Sequence, residues 1–446
     1  HVSGRFWLRI PRNSRFSTKP YRSSPRAARS ITHAAKRSLS WKRAGKRSPP
    51  SFKNPTQKNA SAHSRILLFR ETFRDRSPQG AGFPKIFGRG RNGHALSGKE
   101  ATVRRTTPPF RVGIIGCGGI SHAHALGFGN LPALFEVRAV CDSNEKAARK
   151  LAEPFGEPRI CSDWREVIAD PEIDAVDILL PHHLHALVGV SALRAGKHVC
   201  LEKPLAITLS EGIELVREAE ASNAVFMVAF NERHRWSVRT IKKIVDEGRI
   251  GDVYMVRTDH NQNPRFAANA WYRSGKLAGG GALIGSGIHM LDLLQWFCGT
   301  ATSVFATGVK LPEVLETETA ASVIVEFAPR NEGCPDCIGT LDISWVAPNH
   351  PWYQFLVVYG TRGTVSTLRG DVVSLRTAGE QDEFHAPEGD TWTDSFREEL
   401  RHWGECIAQG TRPLTDAREA FRSLEICMAA YRSMDTHTAV RIPLPE

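Results

Sequence analysis

Hydrophobic and polar positions fall into three textures along the chain. Residues 1–109 show no sustained apolar period. From Phe110 short apolar runs alternate with amphipathic stretches. Arg111–Ile115, Phe135–Cys141, Ala175–Leu180, His198–Leu201 and Val225–Phe230 read as buried strands. Helical patterns lie between them at about 119–130, Asn144–Pro154, about 184–195 and about 208–222. Continuous apolar strands separated by helices predict right-handed crossovers and a doubly wound parallel sheet covered on both faces. Beyond Asn231 the period changes. A helix at about 234–247 precedes Tyr254–His260, Ala301–Val309, Ala320–Phe327, Ile338–Val346, Tyr353–Tyr359 and Thr364–Thr367. In these runs polar Thr340, Asp342 and Ser344 alternate with Leu341, Ile343 and Trp345, which predicts a mostly antiparallel sheet with one packed face. Ala282–Phe297 is a strong helical segment within that region, and two helices close the chain at about 391–409 and 415–435. The predicted fold class is α/β in the first half, followed by an α+β domain with a large open sheet. The predicted boundaries are a basic extension over 1–109, a first domain over 110–232 and a second over 233–446.

Charge sharpens this division. The net charge of the 446-residue chain is +12, but the first 109 residues hold 26 Lys and Arg against three acidic residues. The remaining residues balance at −11. A basic balance suits nucleic acid or anionic membrane. Here that inference touches the arm alone, and no nucleic-acid or membrane partner is expected for 110–446. The arm is too poor in apolar residues to offset its ordering entropy, and it lacks the apolar core of a secretory signal. The first Met is Met227. The arm therefore reads as upstream sequence translated in frame, with a start near Val103 or Val112; targeting and nucleic-acid binding are the alternatives. No apolar run reaches the ~18 residues of a membrane span.

Nine cysteines is an odd number, and Cys117, Cys141, Cys161 and Cys200 lie in or beside apolar strands. Packed, reduced thiols in the cytoplasm are expected rather than a disulfide framework. Cys334-Pro-Asp-Cys337 has no second pair to complete a zinc site and reads as a turn; no metal is expected.

Three segments carry chemistry. Gly116-Cys-Gly118-Gly119-Ile120-Ser121 follows the first strand and opens the first helix. It fits the glycine pattern that lets a backbone approach a pyrophosphate at a helix N-terminus. Asp142 ends the second strand, where an acid accepts hydrogen bonds from ribose hydroxyls, and Ser143 follows it. No Arg clamp accompanies them, which favours NAD, with NADP as the alternative. Leu201-Glu202-Lys203-Pro204 and Pro181-His182-His183-Leu184-His185 end two further strands at the same sheet edge, where open α/β sheets bind ligands.

The order of these motifs, with Ala195–Ala206 and the glycine-rich block Gly279–Leu293, resembles the Gfo/Idh/MocA oxidoreductases over residues 110–446. That family includes glucose–fructose oxidoreductase and inositol dehydrogenases. The resemblance implies an N-terminal Rossmann domain and a C-terminal domain whose open sheet forms a homo-oligomer, a dimer or tetramer. It implies NAD(P)-linked oxidation or reduction of a sugar or polyol. Lys203 matches the family's active-site lysine. Glu202 and His185 match positions lining the cofactor, beside Pro181, His182 and Asn231. His289 matches a histidine acting as general acid/base in inositol-dehydrogenase-like members. Gly285 departs from the family pattern, because many members carry there an Asp paired with that histidine. Asp292 shares the helical face of His289 and is a substitute partner.

Removing a hydroxyl proton as a carbonyl forms calls for a base with a pKa near the working pH. His289 starts near it, and burial brings Lys203 toward it. Arg235, Asp259, His260, Asn261, Asn263, Trp271 and Tyr272 are expected to line the substrate pocket, with His260, Trp271 and Tyr272 foremost. The expected function is hydride transfer between a nicotinamide cofactor and a secondary alcohol or ketone of a sugar, inositol or related polyol. A non-catalytic nucleotide-binding regulator and an NAD-dependent glycosidase, both on the same fold, are the alternatives.

Overall fold

The computed structural model describes residues 107–264, 270–347, 353–367 and 372–445. The expectations for the basic arm over 1–106 lie outside the described residues.

The first half alternates as its apolar runs require. Strands β1 (Phe110–Ile115), β2 (Phe135–Cys141), β3 (Arg159–Cys161), β4 (Ala175–Ile178), β5 (His198–Glu202) and β6 (Phe226–Ala229) are linked by α1 (Ser121–Gly129), α2 (Glu145–Ala152), α3 (Trp164–Ala169), α4 (His185–Arg194) and α5 (Leu209–Ala221). The pairings are all parallel, in the order β3-β2-β1-β4-β5-β6. The chain winds outward from β1 to β3, then crosses back to β4. The crevice between β1 and β4 is therefore the topological switch point, the place where such sheets bind ligands. Local signals set the helix starts. Asn144 caps α2, Asp163 caps α3, and Thr208 with Glu211 forms a capping box on α5.

After α6 (Trp236–Asp246) comes β7 (Val253–Asn261). Then follow a one-turn helix α7 (Gly275–Ala278), a π-helical segment at Leu283–Gly287 and α8 (Ile288–Cys298). Seven further strands of the second sheet precede the closing helices: β8 (Ala301–Val309), β9 (Ala320–Phe327), β10 (Cys337–Ser344), β11 (Tyr353–Gly360), β12 (Gly363–Thr367), β13 (Val372–Thr377) and β14 (Gln381–His385). Helices α9 (Asp394–Gln409) and α10 (Ala417–Thr436) and the short β15 (Val440–Arg441) end the chain. The strand order is β14-β13-β12-β11-β7-β10-β9-β8-β15, antiparallel except for β7 with β10. Its inner face, with Val325, Leu341 and Ile343, packs on α8 and α10. The stretch Gly275–Cys298 is apolar and long enough to cross a membrane by composition, but 83% of its apolar window is buried inside the fold. It is a core helix.

The closing helices return to the first sheet. Trp403 of α9 stacks on Phe135 of β2 at 5.5 Å between ring centroids. Thr415 donates its hydroxyl to the Val228 carbonyl at 2.7 Å and accepts the Val228 N–H at 2.9 Å, extending β6 sideways.

Candidate active site

The glycine turn after β1 has a backbone only glycine supplies. Gly116 sits at φ +103°, and a Cβ there would lie 2.3 Å from the Leu179 carbonyl oxygen. Gly118 and Gly119 face open space, with no atom within 4 Å of where a Cβ would stand. Ser121 turns its hydroxyl onto the Gly118 carbonyl at 2.6 Å, and Ile120 precedes α1 half-buried. Asp142 accepts from the N–H of Cys117 and the N–H of Asn144, each at 2.8 Å, so it braces the turn from the end of β2. Ser143 is exposed beside it. An open glycine cradle at a helix N-terminus, next to a half-exposed carboxylate, fits a dinucleotide.

Lys203 leaves the end of β5, and its Nζ donates to the Gly285 carbonyl at 2.6 Å. The amine therefore lies across the crevice and not in solvent. Burial pulls it below its ordinary pKa, against the opposing pull of the Glu202 and Glu232 carboxylates. His289, one turn beyond Gly285, is buried against the Phe230 ring, and its Nδ1 has no hydrogen-bond partner among the described residues. Burial, then Lys203 and His260, hold it well below the usual histidine range. His260 points inward from β7, where the Gln262 amide donates to its Nε2 at 2.6 Å. Burial, with Lys203 and Arg235, lowers it to about 3. Lys203, His260 and His289 thus share one compartment in which both imidazoles are neutral.

An aromatic wall adjoins it. Trp271 stacks on Tyr272 at 3.6 Å, His182 meets both rings edge-on, and Tyr272 meets Trp345 edge-on at 5.7 Å. His182 also hydrogen-bonds the Ala278 carbonyl through Nδ1 at 2.8 Å, and Pro181 precedes it half-buried. Asn231 donates to the Ser395 hydroxyl of α9 at 2.9 Å.

Gly285 has a steric cause. A Cβ there would lie 2.2 Å from the indole of Trp345, whose Nε1 donates to the Ser286 hydroxyl at 3.0 Å. No side chain fits at 285, and the indole fills the place an aspartate would need.

Several expectations need correction. Asp292 does not orient His289 or meet a substrate. It is fully buried, and its two oxygens take both ends of the Arg233 guanidinium at 2.7 Å, with Ser423 at 3.2 Å. A carboxylate buried beside an arginine fork turns to it. His185 does not line the cofactor crevice. It is fully buried, with Nδ1 at 2.7 Å from the Pro204 carbonyl and Nε2 at 2.8 Å from the Leu180 carbonyl, and so ties the ends of two strands together. Asp259 and Asn261 alternate to the face opposite His260 and bond to each other there. Asn263 is exposed, and Arg235 reaches the Glu232 carboxylate at 3.4 Å. The helix expected to carry 285 and 289 in α register is π-helical through Gly287.

Sequence reasoning passed over a buried ionic group beneath Lys203. His124 of α1 is fully buried, with Nδ1 3.0 Å from Asp177 and Nε2 3.5 Å from Glu202. The signal was Asp177, the single charge inside the apolar run Ala175–Leu180.

Comparison with known proteins follows the same lines. Residues 110–230 match the model of the oxidoreductase family with an NAD-binding Rossmann fold, and residues 238–366 match the Gfo/Idh/MocA C-terminal domain. Levoglucosan dehydrogenase of Pseudarthrobacter phenanthrenivorans is 34% identical over 242 residues, which is 52% of this chain and 59% of that protein, less than two thirds of its length. Myo-inositol 2-dehydrogenase of Thermotoga maritima is 25% identical over 75% of this chain and 98% of its own. Among solved structures, a levoglucosan dehydrogenase in complex with NADH and levoglucosan superposes with a TM-score of 0.70 at 25% identity, over 75% of this chain and all of that one.

Proposed function

The chain belongs to the Gfo/Idh/MocA oxidoreductase family, and from that premise we propose that it moves a hydride between NAD and a ring carbon of a sugar, inositol or related polyol, with Lys203 exchanging the hydroxyl proton. NAD, when bound, supplies the acceptor or donor of the hydride. The glycine cradle of 116–121 and Asp142 would hold its phosphates and ribose. In the oxidative direction the free amine of Lys203 takes the proton as the carbonyl forms. In the reductive direction its ammonium protonates the developing alkoxide. His289 is held well below the usual histidine range by burial and has no carboxylate partner among the described residues, which favours Lys203 over it as the base. Its orphaned Nδ1 suits a second hydroxyl of the substrate, and Trp271 and Tyr272 offer apolar faces to a sugar ring.

The observation that carries this reading is the Lys203 amine held at 2.6 Å on the Gly285 carbonyl, at the carboxyl edge of a sheet whose switch point bears the glycine turn. NADH formation is measured against a panel of inositols, hexoses and anhydrosugars. Lys203→Met is expected to lose about 10²–10⁴-fold in kcat while NADH affinity stays within about threefold. Undiminished turnover in that variant would reject the role.

The outer face of the second sheet fits a self-association surface. Phe305, Ile324 and Ile338, on the adjacent strands β8, β9 and β10, are each more than 40% exposed, and such a patch on a sheet face marks an interface. Ile324→Asp with Ile338→Asp is expected to convert the assembly to monomers by light scattering; an unchanged mass counts against this face. Nine free thiols suit a reducing cytoplasm.

A further inference from the structure

His124 belongs to neither the glycine turn nor the substrate compartment, yet it is fully buried between two carboxylates. Asp177 reaches it from β4 and Glu202 from β5. From α9, the Phe396 ring lies 5.3 Å away and Glu399 stands nearby. A neutral imidazole has one N–H, so it can donate to one carboxylate alone. Here Nδ1 hydrogen-bonds Asp177 at 3.0 Å, while Nε2 lies 3.5 Å from Glu202 with no hydrogen bond among the described residues, so the second proton is held by charge alone. Asp177 and Glu202 outweigh the burial that would otherwise drive the proton off. In turn His124 and Lys203 outweigh burial at Glu202 and keep it ionised. Glu399, buried with neither oxygen hydrogen-bonded among the described residues, is pushed well above the usual carboxylate range, chiefly by burial.

Glu202 directly precedes Lys203, and its carboxylate favours the ammonium form of that amine. The other groups around the amine include the Glu232 carboxylate and the neutral imidazoles of His182, His185, His260 and His289. Helix α1 thus makes two uses of one position. Its N-terminus carries the glycine cradle, and its fourth residue carries a cation that reaches the strand end bearing the proton-transfer group.

We propose that His124 is a positioning residue: an imidazolium clamped between Asp177 and Glu202, it fixes the Glu202 carboxylate beside Lys203 and so tunes the proton exchange of that amine. This rests on Lys203 as the proton carrier, and the two are separable. Without the cation, Glu202 shares its pocket with Asp177 and Glu399 and takes up a proton. Lys203 then loses its nearest negative neighbour and gives up its proton at lower pH. Glu202→Gln has the same consequence directly.

The direct test is a long-range ¹H–¹⁵N spectrum of the full chain. Both nitrogens of His124 are expected to carry protons at pH 8, and a bare nitrogen there overturns the proposal. The second test follows the pH dependence of Lys203 labelling by trinitrobenzenesulfonate in cofactor-free protein, read by peptide mass spectrometry. Its midpoint is expected to move down by about one unit, a tenfold change in the protonation equilibrium, in both His124→Gln and Glu202→Gln, with no further shift in the double variant. Should His124→Gln fail to fold, Glu202→Gln alone decides, and an unmoved midpoint refutes the tuning. If the midpoint moves but Lys203→Met keeps full turnover, His124 still positions Glu202, and what fails is the catalytic role of the lysine.

Discussion

Gly285 and Trp345 are one feature written at two positions. The indole edge stands where a Cβ would be, at 2.2 Å, so restoring an aspartate at 285 does not restore a dyad with His289. It forces overpacking, which costs about 1–3 kcal/mol or more. Gly285→Asp is expected to lower the denaturant midpoint by that amount, and adding Trp345→Ala to recover part of it; a Gly285→Asp variant as stable as the parent contradicts the packing. The glycine at 285 was legible in the sequence as a departure from the family pattern. Its cause was not, because Trp345 lies 60 residues on, just past the end of β10, and only the fold brings it over the helix. Residues with a motif around them, such as Gly116 and Asp142, stand out by spacing, and Lys203 by its place at a strand end and the family resemblance. Residues whose role is a contact across the fold, such as His124 and Glu399, carry no spacing signal.

Among the elements, α8 and the π-helical turn before it are the most constrained. Glu318 accepts from the N–H groups of Gly281 and Leu283 and from the Tyr431 hydroxyl at 2.9–3.0 Å, anchoring the start of the turn that presents the Gly285 carbonyl to Lys203. At the other end Asp292 is locked into Arg233, both about 1% exposed. Removing one partner of a buried ion pair strands the other charge and costs about 3–5 kcal/mol. Asp292→Ala is expected to lose that much stability in a denaturant titration, with the KM for substrate unchanged once folded. A selective rise in KM would return Asp292 to the substrate site. The same helix marks a limit of pattern reading, since its apolar period predicts a helix but does not separate π from α winding over Leu283–Gly287. Strands β3, β13, β14 and β15 were missed; β13 lies inside the sheet, and the other three have a common cause. Each lies at a sheet edge, where polar side chains such as Gln381, Asp382 and Glu383 break the apolar period.

For the molecule as a whole, buried histidines set the response to acid. His182, His185, His234, His260 and His289 are held neutral, chiefly by burial. Their protons bind first to the unfolded chain, near pH ~6.5. Above that pH they contribute no slope. Below it the unfolded state takes up protons the folded state refuses, and each costs up to about 1.4 kcal/mol per pH unit. His124 works in the opposite sense: its stabilisation is complete below pH ~6.5 and fades only as the pH rises through its elevated folded value. With five histidines against one, Tm is expected to fall steadily from pH 6.5 to 5, as calorimetry would show, and a flat Tm over that range contradicts the neutral assignments.

The far end of the chain holds one more lesson. Thr415, 187 residues beyond Val228, pairs alongside the last strand of the nucleotide sheet, and Trp403 covers Phe135. A ribosome making this protein has finished every strand of that sheet long before it makes the pieces that seal it. A premature stop ahead of Trp403 therefore yields no smaller enzyme, but a half-closed sheet with its aromatic flank bare to chaperones and proteases.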